Sequence, residues 1–130
     1  MFDNLYQNKK VLVTGHTGFK GSWLTTWLLD LGANVIGVSK DIPTKPSAFE
    51  ELELEKKIKH HQVDIRNYEK VSLIISSEKP DFIFHLAAQA IVSTSYNEPI
   101  ETISTNVMGT CSILDALKNS NHKCTAVIIT

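Results

Sequence analysis

The sequence is short of the features that mark several classes of protein. Its 130 residues include two cysteines, Cys111 and Cys124, too few for a disulfide scaffold or a zinc site, so we expect both to be reduced and mostly buried. The 13 basic and 14 acidic side chains leave no net field for nucleic acid or anionic lipid. No apolar run approaches the roughly 20 residues of a membrane helix, and residues 1–10 lack the apolar core of a signal peptide. These absences indicate an ordinary globular domain of the cytoplasm.

What the chain does contain is a regular alternation of short apolar segments and helical patterns. Strands are predicted at residues 11–14, 34–38, 62–65, 81–87 and 126–130, and helices at 22–31, 68–77 and 98–119. Residues 40–59 are predicted as a loop followed by a weak, solvated helix. The alternation predicts an α/β fold, a Rossmann-type doubly wound parallel sheet in the order 3-2-1-4-5. No linker or internal repeat appears, so residues 1–130 are expected to form one domain.

Two of the predicted helices carry apolar residues at three- and four-residue intervals, and we expect those of the first helix to face the core. In the first helix they are Trp23, Leu24, Trp27, Leu28 and Leu31. In the last helix they are Ile100, Ile103, Val107, Cys111, Leu114 and Leu117. A repeat of that length is expected of a major crossover helix.

A glycine-rich turn joins the first strand to the first helix, with the sequence Gly15-His16-Thr17-Gly18-Phe19-Lys20-Gly21. Gly15 permits a tight turn, Gly18 lets the backbone approach a diphosphate, and Gly21 lets the helix pack closely on the strand. The free N–H groups of the helix would then face the phosphate charge. The alternative is a turn that merely favours glycine, but three glycines at this spacing favour a dinucleotide site.

The position that usually contacts the adenosine ribose gives a mixed signal. An acidic residue is expected just after the second strand, but Ser39 and Lys40 stand there and Asp41 comes later. Ser39 is able to bind a ribose hydroxyl, whereas Lys40 suits the 2′-phosphate of NADP unless it is simply a solvated loop lysine. These residues therefore leave both NAD and NADP open.

The GxxGxxG spacing resembles the extended branch of the short-chain dehydrogenase/reductase superfamily, and three further segments share the resemblance. They are Asp64-Ile65-Arg66, His85-Leu86-Ala87-Ala88-Gln89, and Asn106 in Thr105-Asn106-Val107-Met108-Gly109-Thr110. The resemblance implies that Asp64 and the next amide contact adenine, that the small residues admit the ribose and diphosphate, and that Asn106 braces the active site. A helix N-cap at Asp64 or Asn67 is the structural alternative. For His85 we expect a packed position rather than catalysis.

A narrower resemblance is to the CDP-glucose 4,6-dehydratases. It rests on residues 15–24, 43–50 and 95–99, with Lys20 and Trp23 the most distinctive positions. The resemblance implies NAD as the cofactor, a sugar nucleotide, CDP-glucose, as the substrate, and a homodimer. It also implies an internal hydride transfer from C4 to C6 of the sugar with loss of water.

The same resemblance implies that the chain is the N-terminal, NAD-binding part of a longer lyase and is inactive alone. Such enzymes place a Tyr-x-x-x-Lys pair after the fifth strand. The one pair at that spacing here, Tyr6 and Lys10, precedes the first strand. The sequence also departs from the family pattern at Ala90 and Ser93, where proline and arginine are common.

Other functions are compatible with the same residues. One is an epimerase, reductase or dehydratase of the same branch that acts on a UDP- or GDP-sugar. Another is a dinucleotide-binding module without catalysis. A metal site is not expected, because the adjacent His60 and His61 point in different directions along a helix or a strand.

Overall fold

The structure, a computed structural model, describes all 130 residues and is built around one parallel β-sheet. Its strands are β1 (Lys10–Thr14), β2 (Asn34–Ser39), β3 (Lys59–Gln62), β4 (Phe82–His85) and β5 (Thr125–Ile128). They lie in the order β3-β2-β1-β4-β5, and every neighbouring pair is parallel. The predicted doubly wound sheet and its strand order are confirmed.

Helical segments connect the strands, as parallel neighbours require. They are α1 (Phe19–Asp30), α2 (Ala48–Glu51), α3 (Tyr68–Glu78), α4 (Val92–Asn97), α5 (Pro99–Ile103) and α6 (Gly109–Asn119). A π-helical turn over Ser104–Met108 joins α5 to α6. None of the helices combines the length and the apolar character needed to cross a bilayer.

The core lies on both faces of the central strand β1. On one face Leu12 packs with Ile36 and Ile83, and on the other Val11 packs with Val35; all five side chains are buried. This alternation follows from the two-residue period of a strand covered on both sides. The carboxyl end of β1 is therefore held rigidly at the middle of the sheet edge, where ligands bind in folds of this type.

Helix α1 presents small residues to the sheet, which differs from the prediction. The expected burial of Trp23 and Trp27 is wrong, because both are exposed, and Trp27 lies against Phe2 of the N-terminal segment. The expected burial of Leu28 is confirmed, and the other buried positions are Gly21, Ser22 and Thr25. Small side chains let the helix backbone approach the sheet and the turn closely, and wide indole rings do not fit such a contact.

The segment from α5 to α6 leaves most of its apolar stripe uncovered. Five of its residues are exposed: Ile100, Ile103, Val107, Cys111 and Leu114. The buried residues of α6 are Gly109, Ser112, Ile113 and Ala116, and Leu117 packs at the core margin. Burial of the cysteines is thus wrong for Cys111. Both thiols are free, and Cys124 is half-buried, which raises its pKa to about 11.

The region between β2 and β3 is more tightly packed than predicted. It forms α2 and a 3₁₀ turn over Leu54–Lys56, and the side chains of Phe49 and Leu54 are buried rather than solvated. Strand β3 begins three residues before the predicted position at residue 62. Its residues are all polar or charged, so apolar periodicity did not reveal it.

Candidate functional site

The turn between β1 and α1 depends on a glycine at its first position. Gly15 has a φ of +74°, and a Cβ there would lie 2.8 Å from the backbone nitrogen of Ala87. A positive φ and a close backbone neighbour both exclude a side chain. Gly15 therefore brings the chain leaving β1 directly against the chain leaving β4.

The other two glycines of the turn differ in what surrounds them. A Cβ on Gly21 would lie 2.0 Å from the carbonyl oxygen of Gly15, so α1 is able to approach the turn only without one. A Cβ on Gly18 would meet only that same oxygen, at 3.4 Å, which is an ordinary contact. Internal packing thus explains the absence of a side chain at Gly21 and does not explain it at Gly18.

The open side of Gly18 is lined with unused backbone donors. Gly18 is the N-cap of α1, and the amides of Phe19, Lys20 and Gly21 that follow donate no hydrogen bond within the protein. Such amides at the positive end of a helix dipole form a favourable place for phosphate. The exposed side chains of Phe19 and Lys20 flank this place without filling it.

A chain of hydrogen bonds ties the ends of β1 and β4 together. The Oγ1 of Thr14 accepts the amides of Leu86 and Ala87, each at 3.1 Å, and lies 2.7 Å from Nδ1 of His85. The Nε2 of His85 lies 3.0 Å from Oγ1 of Thr110, whose hydroxyl donates to the carbonyl of residue 106. Thr14 accepts two N–H groups and donates its own hydrogen, so His85 carries its proton on Nε2. Burial lowers the pKa of His85, which agrees with this neutral, packed form.

Asn106 clamps the backbone that follows β4. Its Oδ1 accepts the amide of Gln89 at 2.8 Å, and its Nδ2 donates to the carbonyl of Gln89 at 3.2 Å. Asn106 lies in the π-helical turn, where the helical repeat widens. The segment Leu86–Gln89, in which Ala88 is exposed, is therefore held at both ends, by Thr14 and by Asn106.

His16 and Ser39 form a buried cluster beneath the turn. The Nδ1 of His16 lies 3.0 Å from Oγ of Ser39, and its Nε2 lies 2.7 Å from Nδ1 of His60. Burial, helped by the neighbouring His60, lowers the pKa of His16 to about 4. The Ser39 side chain is thus buried and engaged inside the protein. Thr17 is also buried, and its hydroxyl donates to the carbonyl of Asp41.

Charged side chains meet beyond the ends of β2 and β3. Arg66 donates to the Asp64 carboxylate from Nε, at 3.0 and 3.2 Å from its two oxygens, and from Nη2 at 2.6 Å. Its Nη1 donates to Glu101 at 2.8 Å. These bonds from Arg66 lower the pKa of both carboxyls. Lys40 lies 3.6 Å from the other oxygen of Glu101. The N-cap of α3 is Asn67, one of the two predicted possibilities.

Most of the predicted site residues gather at the carboxyl edge of the sheet. Ile65 is buried and packs on Gly109, and a Cβ on Gly109 would lie 2.3 Å from Cδ1 of Ile65.

Sequence reasoning missed Thr14, Thr110 and Glu101. The position of Thr14 just before the glycine turn was a usable signal, but nothing local in the sequence linked Glu101 to Lys40. No three His, Cys, Asp or Glu side chains come together as metal ligands.

The family model described as GDP-mannose 4,6 dehydratase matches residues 12–130. The chain belongs to this family. Among curated members and relatives, it is 50% identical to the CDP-glucose 4,6-dehydratase of Salmonella typhimurium over 127 residues, which are 98% of this chain and 35% of that protein. It is 32% identical to the CDP-paratose 2-epimerase of Salmonella typhi, over 91% of this chain and 35% of that protein. The chain thus spans about a third of the length of the curated relatives it matches.

Solved structures of related enzymes show the same fold. The UDP-glucose 4-epimerase of Thermotoga maritima with UDP-glucose is 30% identical and superposes with a TM-score of 0.81 over 92% of this chain and 37% of that one. The UDP-glucose 4-epimerase of Thermus thermophilus in complex with NAD is 30% identical, with a TM-score of 0.74 over 84% of this chain and 33% of that one. The family and the extended short-chain dehydrogenase/reductase fold expected from the motifs are therefore confirmed.

Proposed function

We propose that this chain is the NAD-binding portion of a nucleotide-sugar 4,6-dehydratase that acts on CDP-glucose. The observation that carries the proposal is the open cradle at Gly18, where internal packing does not explain the missing side chain and the first three amides of α1 are unused. A diphosphate satisfies both. The 50% identity to a CDP-glucose 4,6-dehydratase, against about 32% to the epimerases, supports the substrate and the reaction.

Each part of the carboxyl edge has a role in this proposal. The backbone of residues 15–21 holds the diphosphate, and the segment Leu86–Gln89 lies against the adjoining ribose and the nicotinamide. Asp64 and the amide of Ile65 meet the adenine, and Lys40 lies beside the adenosine ribose. The buried side chains of His16 and Ser39 support the turn from below rather than contact the cofactor.

The chain's own residues position the cofactor and leave the proton chemistry to others. In the whole enzyme, bound NAD would supply the hydride acceptor and donor for the proposed transfer from C4 to C6 of the sugar, which accompanies the loss of water. Thr14 and Asn106 fix the strand end on which the nicotinamide would rest. Tyr6 and Lys10 lie near the amino end of β1, and the Lys10 amine donates to the carbonyl of Glu78, which supports the proposal that they are not a catalytic pair. We therefore propose that these 130 residues alone have no dehydratase activity.

Calorimetric titration with NAD tests the cofactor site. We expect Gly18→Val to weaken NAD binding at least about tenfold, because the new methyls occupy the diphosphate position at a cost of more than about 1.4 kcal/mol. The matched control is Ser76→Val on the exposed face of α3, which should bind like the parent. Equal NAD affinity in parent and Gly18→Val would contradict the proposal.

A chimera tests the substrate. The 127 aligned residues of this chain would replace the matching third of the Salmonella typhimurium CDP-glucose 4,6-dehydratase, and turnover would be measured with CDP-, UDP- and GDP-glucose. Activity on CDP-glucose that is lost in the Gly18→Val chimera supports the proposal. A folded, NAD-binding chimera that acts only on UDP- or GDP-sugars would favour the alternative substrates.

We also propose that the whole enzyme is a homodimer of the cytoplasm. The exposed apolar stripe from Ile100 to Leu114 is a surface that a second copy would cover. The free thiols of Cys111 and Cys124 support a reducing compartment. Sedimentation of the parent and of an Ile103→Glu variant checks the dimer, which the charge should weaken.

A further inference from the structure

Glu101 joins two parts of the candidate site that are far apart in the sequence. It lies on α5, after β4, whereas Lys40 follows β2 and Arg66 follows β3. Its two carboxylate oxygens are shared between these cations, at 3.6 Å from Nζ of Lys40 and 2.8 Å from Nη1 of Arg66. Glu101 thus reaches from the β4 side of the carboxyl edge to the β2 and β3 side.

The position of this ion-pair cluster coincides with the adenosine end of the proposed cofactor site. Lys40 directly follows the last residue of β2, and in this fold the ribose 2′ group is recognised there. Unpaired, Lys40 and Arg66 would present two positive charges to a 2′-phosphate, a strong arrangement for that group. Paired with Asp64 and Glu101, the cluster has two cations and two carboxylates and no net charge.

We propose that Glu101 is a specificity-determining residue that makes the site favour NAD over NADP. It engages Lys40 and adds a negative charge beside the place of the 2′-phosphate, which carries a charge of about −1.5 to −2 at neutral pH. The 2′-hydroxyl of NAD carries no charge and is indifferent to this cluster. The inference rests on the proposed function, since it concerns the same dinucleotide site.

The test measures dissociation constants for NAD and NADP by calorimetry on the parent and on Glu101→Gln. We expect NADP to bind about three- to fivefold more tightly to the variant at low ionic strength, the range for an exposed charge pair. NAD affinity should change less than about twofold. At an ionic strength of about 1 M, where the Debye length is about 3 Å, the gain for NADP should disappear.

The matched control is Glu98→Gln. This residue begins the same helical segment, carries the same charge, is exposed and has no ion pair, so its loss should leave the NADP to NAD ratio as in the parent. Adding Lys40→Gln to Glu101→Gln should cancel the gain. Thermal unfolding by circular dichroism verifies that all variants remain folded.

The outcomes separate this inference from the proposed function. A parent that binds neither dinucleotide would overturn both. A parent that binds NAD, with an unchanged NADP to NAD ratio in Glu101→Gln, overturns only the role of Glu101. The role of Glu101 is also overturned if the parent prefers NADP, or if Glu98→Gln gains as much NADP affinity as Glu101→Gln. A selective, salt-sensitive gain for NADP in Glu101→Gln alone supports it.

Discussion

The two ends of the candidate site are built by different physical means. At the diphosphate turn, Gly15 and Gly21 act through backbone conformation and through the space that a missing Cβ leaves. At the charged end, Lys40, Arg66 and Glu101 act through charge, on side chains that reach solvent. Backbone sterics do not respond to salt, whereas exposed charge pairs do. We therefore expect the turn to tolerate little change, and we expect single substitutions to alter the charged end more readily.

Breaking the turn should have the largest effect. Gly21→Ala places a Cβ 2.0 Å from the Gly15 carbonyl, a backbone atom that has little freedom to move. We expect a loss of about 3 kcal/mol or more in the free energy of unfolding, measured in urea. Gly18→Ala is the matched control and should lose less than about 1 kcal/mol. Equal stability of the two variants would mean that the turn is not sterically constrained.

Acid should destabilise the buried His16 cluster beneath the turn. The expected loss in the free energy of unfolding is nearly as large as that for Gly21→Ala. The folded protein lowers the pKa of His16 from 6.5 to about 4, so the unfolded chain binds the proton first as pH falls. Stability from this group is complete above about pH 6.5 and is lost progressively down to about pH 4, up to about 3 kcal/mol in all. Unfolding free energies measured across this range should show the slope in the parent, and His16→Gln should flatten it. An unchanged slope in His16→Gln would mean that another group causes the pH dependence of the unfolding free energy.

Removing the clamp on the segment after β4 should have a smaller effect. Asn106→Ala deletes both hydrogen bonds to the Gln89 backbone, and we expect a loss of about 1 kcal/mol because water partly replaces them. Hydrogen exchange of the Gln89 amide should accelerate. Asn119→Ala, which removes an exposed amide, serves as the comparison and should leave that exchange rate unchanged.

Breaking the ion pairs of the charged end should have the smallest effect on the free energy of unfolding. Of the effects predicted here, it is the only one that salt should remove. Arg66→Gln breaks the pairs with Asp64 and Glu101 and should cost at most about 1 kcal/mol at low ionic strength. The cost should shrink in about 1 M salt. A salt-independent loss would show that Arg66 stabilises the fold by packing rather than by charge.

The sequence predicted the sheet and the turn because their signals are local. A β-branched segment that ends at Gly15 and a helix that begins beside Gly18 are visible within a few residues. The buried faces of the helices were not predictable in the same way. Trp23 and Ile103 each belong to an apolar pattern at helical spacing on its own helix. Such a pattern does not reveal which face of the helix meets the sheet. Close packing selected the small residues instead.

Contacts between distant segments were also beyond local patterns. The sequence does not show that the hydroxyl of Ser39 lies against the buried His16, whose other ring nitrogen contacts His60. Strand β3 was misplaced because its inward residues are histidines rather than apolar side chains. Polar residues whose partners lie on other strands leave no periodic pattern in the sequence. Their contacts at the carboxyl edge of the sheet are therefore known only from the structure.

The π-helical turn over Ser104–Met108 has a consequence for how this region tolerates change. A single extra residue in one turn shifts the angular phase of everything downstream by about 100°. Helix α5, upstream of the turn, thereby directs Glu101 toward Lys40 and Arg66. Helix α6, downstream of it, directs Ile113 into the core. Deleting one residue here would swing α6 out of alignment, so insertions and deletions, more than substitutions, are what this segment is least able to absorb.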